Sequence, residues 1–360
     1  MGDRIVVGMS GGVDSSVAAA LLVEQGYDVV GVTLRVWPWK ESSDPARKFG
    51  SCCSPETVDD ARQVARKLGI PHYLLNSERE FDSTVIANFT REYLAGRTPV
   101  PCVVCNQKVK FGSLLQRALA WEATAVATGH YARLETDPVT GRILLRKARD
   151  LKKDQTDFLW PLTQEQLRQA RFPVGGLTKD DVRSKARLLG LSVADKPESQ
   201  EICFIPDNDY RGFLRRRDPE GFRPGHIVDR NGKMLGAHEG ISAYTIGQRR
   251  GLGLSSGEPL YVVALEPESN RVVVGRKEEL EATALTATAV NFIPFDQLDG
   301  ELRVYAKIRH NHVPARATLR PSGEGRVALV FEEPQRAITP GQSVVFYQDD
   351  LVVGGGIIAS

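Results

Sequence analysis

The sequence predicts an α/β protein: an N-terminal Rossmann-like, mostly parallel sheet, then a small central domain and a C-terminal β-barrel-like domain. Up to about Asp207, short apolar runs alternate with helical segments, the pattern that places helices on both faces of a parallel sheet. Beyond it, short runs such as Val262 to Leu265, Val272 to Val274, Val327 to Phe331 and Ser343 to Tyr347 are separated by Gly, Pro and Asn turns, the mark of small β domains. A chain of 360 residues has room for two or three cores. The expected boundaries are 1–207 for the α/β domain, 208–278 for the central, mostly β domain and 279–360 for the barrel.

In order, Arg4 to Met9 reads as a buried strand, followed by Ser10-Gly11-Gly12-Val13-Asp14-Ser15-Ser16 and an Ala/Leu-rich helix ending near Gly26. Val29 to Val36 closes a β-α-β unit. Ser54 as N-cap and Pro55 at the first helical position open a second helix that stops at Gly69, ahead of a strand from Pro71 to Leu75. Further helices are expected at Arg79 to Ala95, Gln107 to Trp121 and Lys179 to Leu189, the last capped by Thr178, with another buried strand at Ala123 to Thr128.

Composition narrows the function classes. Hydrophobic residues make up 41% and charged residues 26%, close to the averages for globular proteins, so neither disorder nor a membrane class is suggested. No apolar run approaches the roughly 20 residues that span a bilayer, so no membrane partner is expected. The start runs into a short apolar stretch without signal-peptide architecture, so a cytoplasmic location is expected. A net charge of +2 decides little, because RNA binding rests on local patches. Four such patches are present: Lys147, Arg149, Lys152 and Lys153; Arg211, Arg215, Arg216 and Arg217; Arg249 and Arg250; and Lys307, Arg309, His310 and His312. Five cysteines, an odd number, argue against a disulfide scaffold and for redox, metal or catalytic use.

The first chemical motif is the loop at Ser10. Glycines between a strand and a helix let backbone N–H groups approach phosphate oxygens, and the helix dipole adds to the attraction. The loop lacks the Gly-Lys-Ser/Thr ending of a Walker A motif. The second motif is Gly96-Arg97-Thr98-Pro99-Val100-Pro101-Cys102-Val103-Val104-Cys105-Asn106, read as an extended, proline-held loop leading into a helix. A thiol beside a helix N-terminus gains thiolate character, and Cys105 fits that description. Cys52 and Cys53 are neighbours on an extended chain, point in opposite directions and read as structural or incidental. His72 reads as a packing residue, and Trp37 and Trp39 are left undecided between base stacking and helix packing.

Ser10 to Ser16 resembles the signature of the ATP-pyrophosphatase (PP-loop) superfamily. Together with the stretch at Cys102 and Cys105, Ala127-Thr128-Gly129-His130-Tyr131-Ala132-Arg133, Lys153-Asp154-Gln155-Thr156, Ser199-Gln200-Glu201-Ile202-Cys203-Phe204-Ile205 and Pro340-Gly341-Gln342-Ser343, it makes essentially the whole chain similar to the tRNA 2-thiouridylase (MnmA) family. The resemblance implies ATP-dependent 2-thiolation of the wobble uridine in the anticodon stem-loop of tRNA. It implies ATP at Gly8, Met9, Ser10, Gly11, Gly12, Val13, Asp14 and Ser15, with the adenine near Leu34 and a contact at Gly129, and Mg²⁺ at Asp14. The C2 oxygen is adenylated, Cys203 carries a persulfide delivered by a sulfur donor such as a cysteine desulfurase or relay protein, and Cys105 attacks it, either freeing sulfide or leaving a Cys105–Cys203 disulfide. A Cys105–Cys203 disulfide requires Cα atoms within about 7 Å.

For tRNA, the resemblance implies base contacts at Val100, Pro101 and Cys102 and further contacts at His130, Lys153, Asp154, Gln155, Arg309, His310 and Gln342, with the base splayed from its stack. Some relatives carry Asp where Cys102 stands, and a thiol does not replace a carboxylate directly. Three uses of the thiols therefore stay open: a cluster-free relay, a 4Fe–4S cluster on Cys102, Cys105 and Cys203, or zinc. The rival activities are an adenylating PP-loop ligase or amidotransferase acting on a small molecule, and a non-catalytic RNA-binding scaffold. The first lacks a glutaminase-like segment here and gives Cys105 and Cys203 no task.

Overall fold

The computed structural model describes residues 2–38, 54–198, 202–205, 207–255 and 257–360. Cys52, Cys53 and Trp39, and Ser199, Gln200 and Glu201 of the Cys203 motif, lie outside the described residues. The chain divides into two compact units. The first comprises 1–85, 102–208 and 350–352, and the second 86–101, 209–349 and 353–360.

The first unit is built on a five-stranded parallel sheet in the order β3-β2-β1-β4-β7. Its strands are β1 (Arg4–Gly8), β2 (Asp28–Arg35), β3 (His72–Asn76), β4 (Ala125–Ala127) and β7 (Ala170–Arg171). β1 is the middle strand, and Val6 and Val7 are fully buried, as the continuous apolar run requires of a strand covered on both faces. Helix α1 (Val13–Glu24) follows β1, and its Val17, Ala18 and Ala19 join Ile5, Val7 and Ala127 in one core. Burying one such valine or isoleucine contributes about 1.5–3 kcal/mol. Helix α2 (Pro55–Leu68) starts as expected: the Ser54 hydroxyl accepts from Thr57 N at 3.3 Å, and Pro55 occupies the first turn.

Two helical expectations need correction. The segment predicted as one helix from Arg79 to Ala95 is α3 (Glu78–Phe81), a π-helical turn at Asp82–Ile86 and α4 (Ala87–Leu94), and the division between units falls inside that turn. The helix predicted from Gln107 begins at Pro101, as α5 (Pro101–Val104), widens into a π-helix over Cys105–Ser113 and ends as α6 (Leu114–Ala120). Cys102 and Cys105 therefore sit within helix, not in an extended loop ahead of it. Pro101 starts this helix because its missing N–H falls where no helical partner exists.

The remainder of the first unit comprises a hairpin of β5 (Ala132–Thr136) and β6 (Ile143–Lys147), helix α7 (Gln164–Arg168) and helix α8 (Lys179–Leu188). Thr178 caps α8 reciprocally with Asp181.

The second unit carries α9 (Tyr210–Arg217) and two β structures. A four-stranded sheet in the order β10-β11-β8-β9 comprises β8 (Gly225–Val228), β9 (Met234–His238), β10 (Tyr261–Glu266) and β11 (Arg271–Gly275). Six further strands, β12 (Glu281–Phe292), β13 (Leu302–Lys307), β14 (Ala315–Pro321), β15 (Val327–Arg336), β16 (Ser343–Gln348) and β17 (Leu351–Ile358), run in the order β12-β15-β14-β13-β16-β17. β17 pairs back on β12, Ala287 opposite Ile358, which closes a barrel around Val304, Leu319, Leu329 and Phe346. Among the described residues no helix is long and apolar enough to cross a membrane.

Candidate active site

β1 lies between β2 on one side and β4 on the other, so the order of connection reverses beside it. Such a switch point leaves a crevice at the carboxyl ends of the strands, where α/β proteins bind ligands. Two of the predicted segments emerge there: Met9 to Gly12 after β1, and Thr128 to His130 after β4. Gly12 is the N-cap of α1, extended at φ −101°, and makes no side-chain cap hydrogen bond. The loop is held from several sides. Ser15 Oγ accepts from Ser10 N and donates to Gly12 O, each at 3.2 Å, while Ser16 Oγ donates to Gly12 O at 2.8 Å. Lys196 Nζ donates to Gly11 O at 3.0 Å and to Asp60 Oδ2 at 2.6 Å.

Two glycines are required sterically. Gly11 has φ +66°, and a Cβ there would meet Thr57 O at 2.1 Å. At Gly129 a Cβ would lie 2.5 Å from Ser15 N, so the turn after β4 touches the first turn of α1 only because no side chain intervenes. Behind the loop, Met9 is buried and its carbonyl accepts from Thr33 Oγ1 at 2.8 Å. Leu34 is half-buried near the carboxyl end of β2, and Val13 is buried. His72 Nε2 pairs with Thr33 Oγ1 at 2.9 Å, in keeping with a packing role.

Asp14 is the centre of a charge network. Its Oδ1 accepts from Tyr131 OH at 2.8 Å, and Lys179 Nζ lies 2.7 Å from Oδ1 and 2.8 Å from Oδ2. The same ammonium reaches Glu198 Oε1 at 2.8 Å, and Lys153 Nζ reaches Glu198 Oε2 at 2.7 Å. Burial works against the Glu198 charge, but hydrogen bonds from Lys153 and Lys179 and their positive charges bring its pKa down to about 2. Burial, then the neighbouring Asp14 carboxylate, raise Tyr131 well above an ordinary phenol, so it stays a hydrogen-bond donor.

Cys105 and Cys203 both belong to the first unit and both are half-buried, whereas Cys102 is exposed. Both half-buried cysteines sit on segments that pack on α3. Phe204 meets Phe81 edge-on with ring centroids 5.7 Å apart, and the π-helix that begins at Cys105 packs against the same short helix. The π-helix is supported from outside: Gln166 Nε2 donates to Gln107 O at 3.0 Å and to Phe111 O at 2.7 Å. Asn106 donates to Phe158 O at 3.0 Å, and Gln107 to Pro161 O at 3.1 Å. π-Helical turns are frequent where function demands an unusual backbone. Among the described residues no three His, Cys, Asp or Glu side chains gather as a metal-holding group, so the three thiols do not form a preassembled cluster site.

The residues expected to meet tRNA divide by environment. His130 is buried, its Nδ1 2.6 Å from Thr128 Oγ1, and burial with the nearby Lys110 charge lowers its pKa well below the usual imidazole value. Asp154 is also buried, accepting from Ala148 N at 2.9 Å and Thr156 Oγ1 at 2.6 Å, and Gln155 Oε1 accepts from Tyr131 N at 3.0 Å. These two side chains hold their own loop, while Lys153 is partly exposed. In the second unit, Gln342 Nε2 donates to Thr98 O at 2.9 Å, two residues before half-buried Val100 and three before buried Pro101. Arg309 and His310 are exposed at the end of β13, and Arg309 donates to Arg336 O at 3.0 Å.

Lys179, Tyr131, Glu198 and Lys196 are absent from the sequence-derived site. Lys179 left one usable signal. It directly follows the N-cap Thr178, where the helix dipole disfavours a cation, so its charge calls for another explanation.

The model described as the tRNA methyl transferase HUP domain matches residues 3–207, that of the tRNA methyl transferase PRC-barrel domain residues 211–276, and that of the aminomethyltransferase beta-barrel domain residues 282–358. The chain is 54% identical over 360 residues to a tRNA-specific 2-thiouridylase MnmA of Heliobacterium modesticaldum, covering 99% of this chain and 93% of the relative. It is 52% identical over 357 residues to the protein of that name from Acetivibrio thermocellus, covering 99% of each.

Proposed function

Since the chain belongs to the tRNA-specific 2-thiouridylase family, we propose that it uses ATP to place sulfur at position 2 of the wobble uridine of tRNA. The observation that carries the reading is that one compact unit holds the glycine loop and both cysteine segments. The uncapped start of α1 faces the switch-point crevice, and the segments of Cys105 and Cys203 pack on one helix of the same unit.

The backbone amides at the start of α1 bind the phosphates of ATP, and Leu34 packs beside its adenine. Asp14 is the carboxylate available to Mg²⁺, which would neutralise phosphate charge there, and it shares that carboxylate with Lys179. Uridine O2 bonds to the α-phosphorus as the bond to pyrophosphate breaks, which makes AMP the leaving group at C2. The terminal sulfur of a Cys203 persulfide bonds to C2, and AMP leaves with the electron pair. The Cys105 thiolate then bonds to Cys203 Sγ, and the older S–S bond breaks with its electrons going to the sulfur on the base. The resulting disulfide needs a reducing thiol before the next turnover. The sulfur reaches Cys203 from a persulfide donor protein, and Lys153 contacts the tRNA backbone.

The test is nucleoside mass analysis of tRNA incubated with the protein, ATP, Mg²⁺ and a persulfide source. The wild-type chain yields 2-thiouridine; Cys203→Ala yields none while still binding ATP and tRNA. Full thiolation by Cys203→Ala refutes the relay.

A further inference from the structure

Lys179 is only 10% exposed through its side chain, yet it stands at the first position of α8, where the dipole repels an ammonium. Two carboxylates from distant parts of the chain compensate: Asp14 with both oxygens and Glu198 with one. The Asp14 and Glu198 side chains are 30% and 32% exposed, and ion pairs that reach solvent contribute little net stability. The fold alone therefore does not account for it. Asp14 lies in the first turn of α1, beside the helix start that presents amides to an anion. Lys179 is the only cation among the described residues within hydrogen-bond distance of Asp14. A phosphate chain arriving there meets the Asp14 and Glu198 carboxylates, and this amine stands between them.

We propose that Lys179 is a phosphate-binding catalytic residue, whose ammonium, set in place by Glu198, takes up the charge that gathers on pyrophosphate as the α–β bond of ATP breaks. The inference rests on the nucleotide reading above. In that step the electron pair of the breaking P–O bond goes to pyrophosphate, and an ammonium two carboxylates already hold in place needs no reorganisation to meet it. One sign separates this role from a structural one. Asp14 and Glu198 both draw on the same ammonium, so removing the Glu198 charge leaves more positive potential for phosphate. It also frees Lys153, which acts in the same direction.

The test measures binding of inorganic pyrophosphate and of ATP with Mg²⁺ to the full chain by titration calorimetry, in wild type, Lys179→Gln, Lys179→Arg and Glu198→Gln. The expected result is a loss of about tenfold in pyrophosphate affinity for Lys179→Gln, about 1.4 kcal/mol, with most of it restored in Lys179→Arg. Glu198→Gln is expected to tighten binding by about threefold, the scale of one partly exposed ion pair. Unchanged affinity in Lys179→Gln, or weakened or unchanged affinity in Glu198→Gln, overturns the assignment. The Glu198→Gln arm decides the matter if Lys179→Gln does not fold. A wild-type chain that binds neither ATP nor pyrophosphate sinks the nucleotide reading itself, whereas wild-type binding with an unaltered Lys179→Gln sinks this inference alone.

Discussion

Replacing Gly129 by Ala tests whether the nucleotide site depends on close approach of two backbones. The new Cβ would lie 2.5 Å from Ser15 N, 2.6 Å from Asp14 C and 2.9 Å from Asp14 Cβ, all in the first turn of α1. Ordinary non-bonded contacts lie near 3.5–4.0 Å, so one side has to move by about 1 Å. The helix cannot yield easily, since Val17 and Ala18 are fully buried against the sheet. Overpacking of this kind costs about 1–3 kcal/mol. A displacement of about 1 Å in a reacting site costs roughly a hundredfold in rate. Urea denaturation measures the first quantity, and pyrophosphate release in the presence of tRNA measures the second. Gly176→Ala, which meets nothing within 4 Å, is the control. Gly129→Ala releasing pyrophosphate at the control's rate with the control's stability would refute the argument that this contact shapes the phosphate loop.

Gln166→Ala removes the donor shared by two carbonyls of the π-helix. It is expected to lower stability by about 1–3 kcal/mol and to speed amide exchange over 105–113, and unchanged exchange there counts against external support. The His130 pKa is depressed in the folded state, so its contribution to stability is complete above the ordinary value near 6.5 and declines as pH falls below it. The loss has a slope of up to about 1.4 kcal/mol per pH unit. His130→Gln should flatten this part of the profile, and urea midpoints between pH 7.5 and pH 5 decide it, with identical slopes in the two proteins as the contrary result.

Local grammar explains what was legible. Ser54-Pro55 and Thr178 fix helix starts through hydrogen bonds spanning three residues, and the structure makes both. Ser10 to Ser15 reads as a phosphate loop because strand, glycines and helix are consecutive. What escaped depends on partners far away in sequence. The π-helix at Cys105 takes its support from Gln166, 59 residues beyond Gln107, so helical periodicity alone places its start too late. Asp154 and Gln155 look like exposed polar candidates in a basic stretch, yet their side chains serve Ala148, Thr156 and Tyr131.

Lys179 shows how such a residue becomes readable. A cation at the wrong end of a helix dipole signals a carboxylate elsewhere, but not which one. Asp14 is 165 positions away, and only the parallel sheet, by bringing β1 and β4 together and seating α8 against α1, makes it the partner. The loop from Ser10 to Ser15 is thus a local motif whose charge is completed non-locally. A fold that kept Ser10 to Ser15 but moved α8 would retain the motif and lose the ammonium beside it.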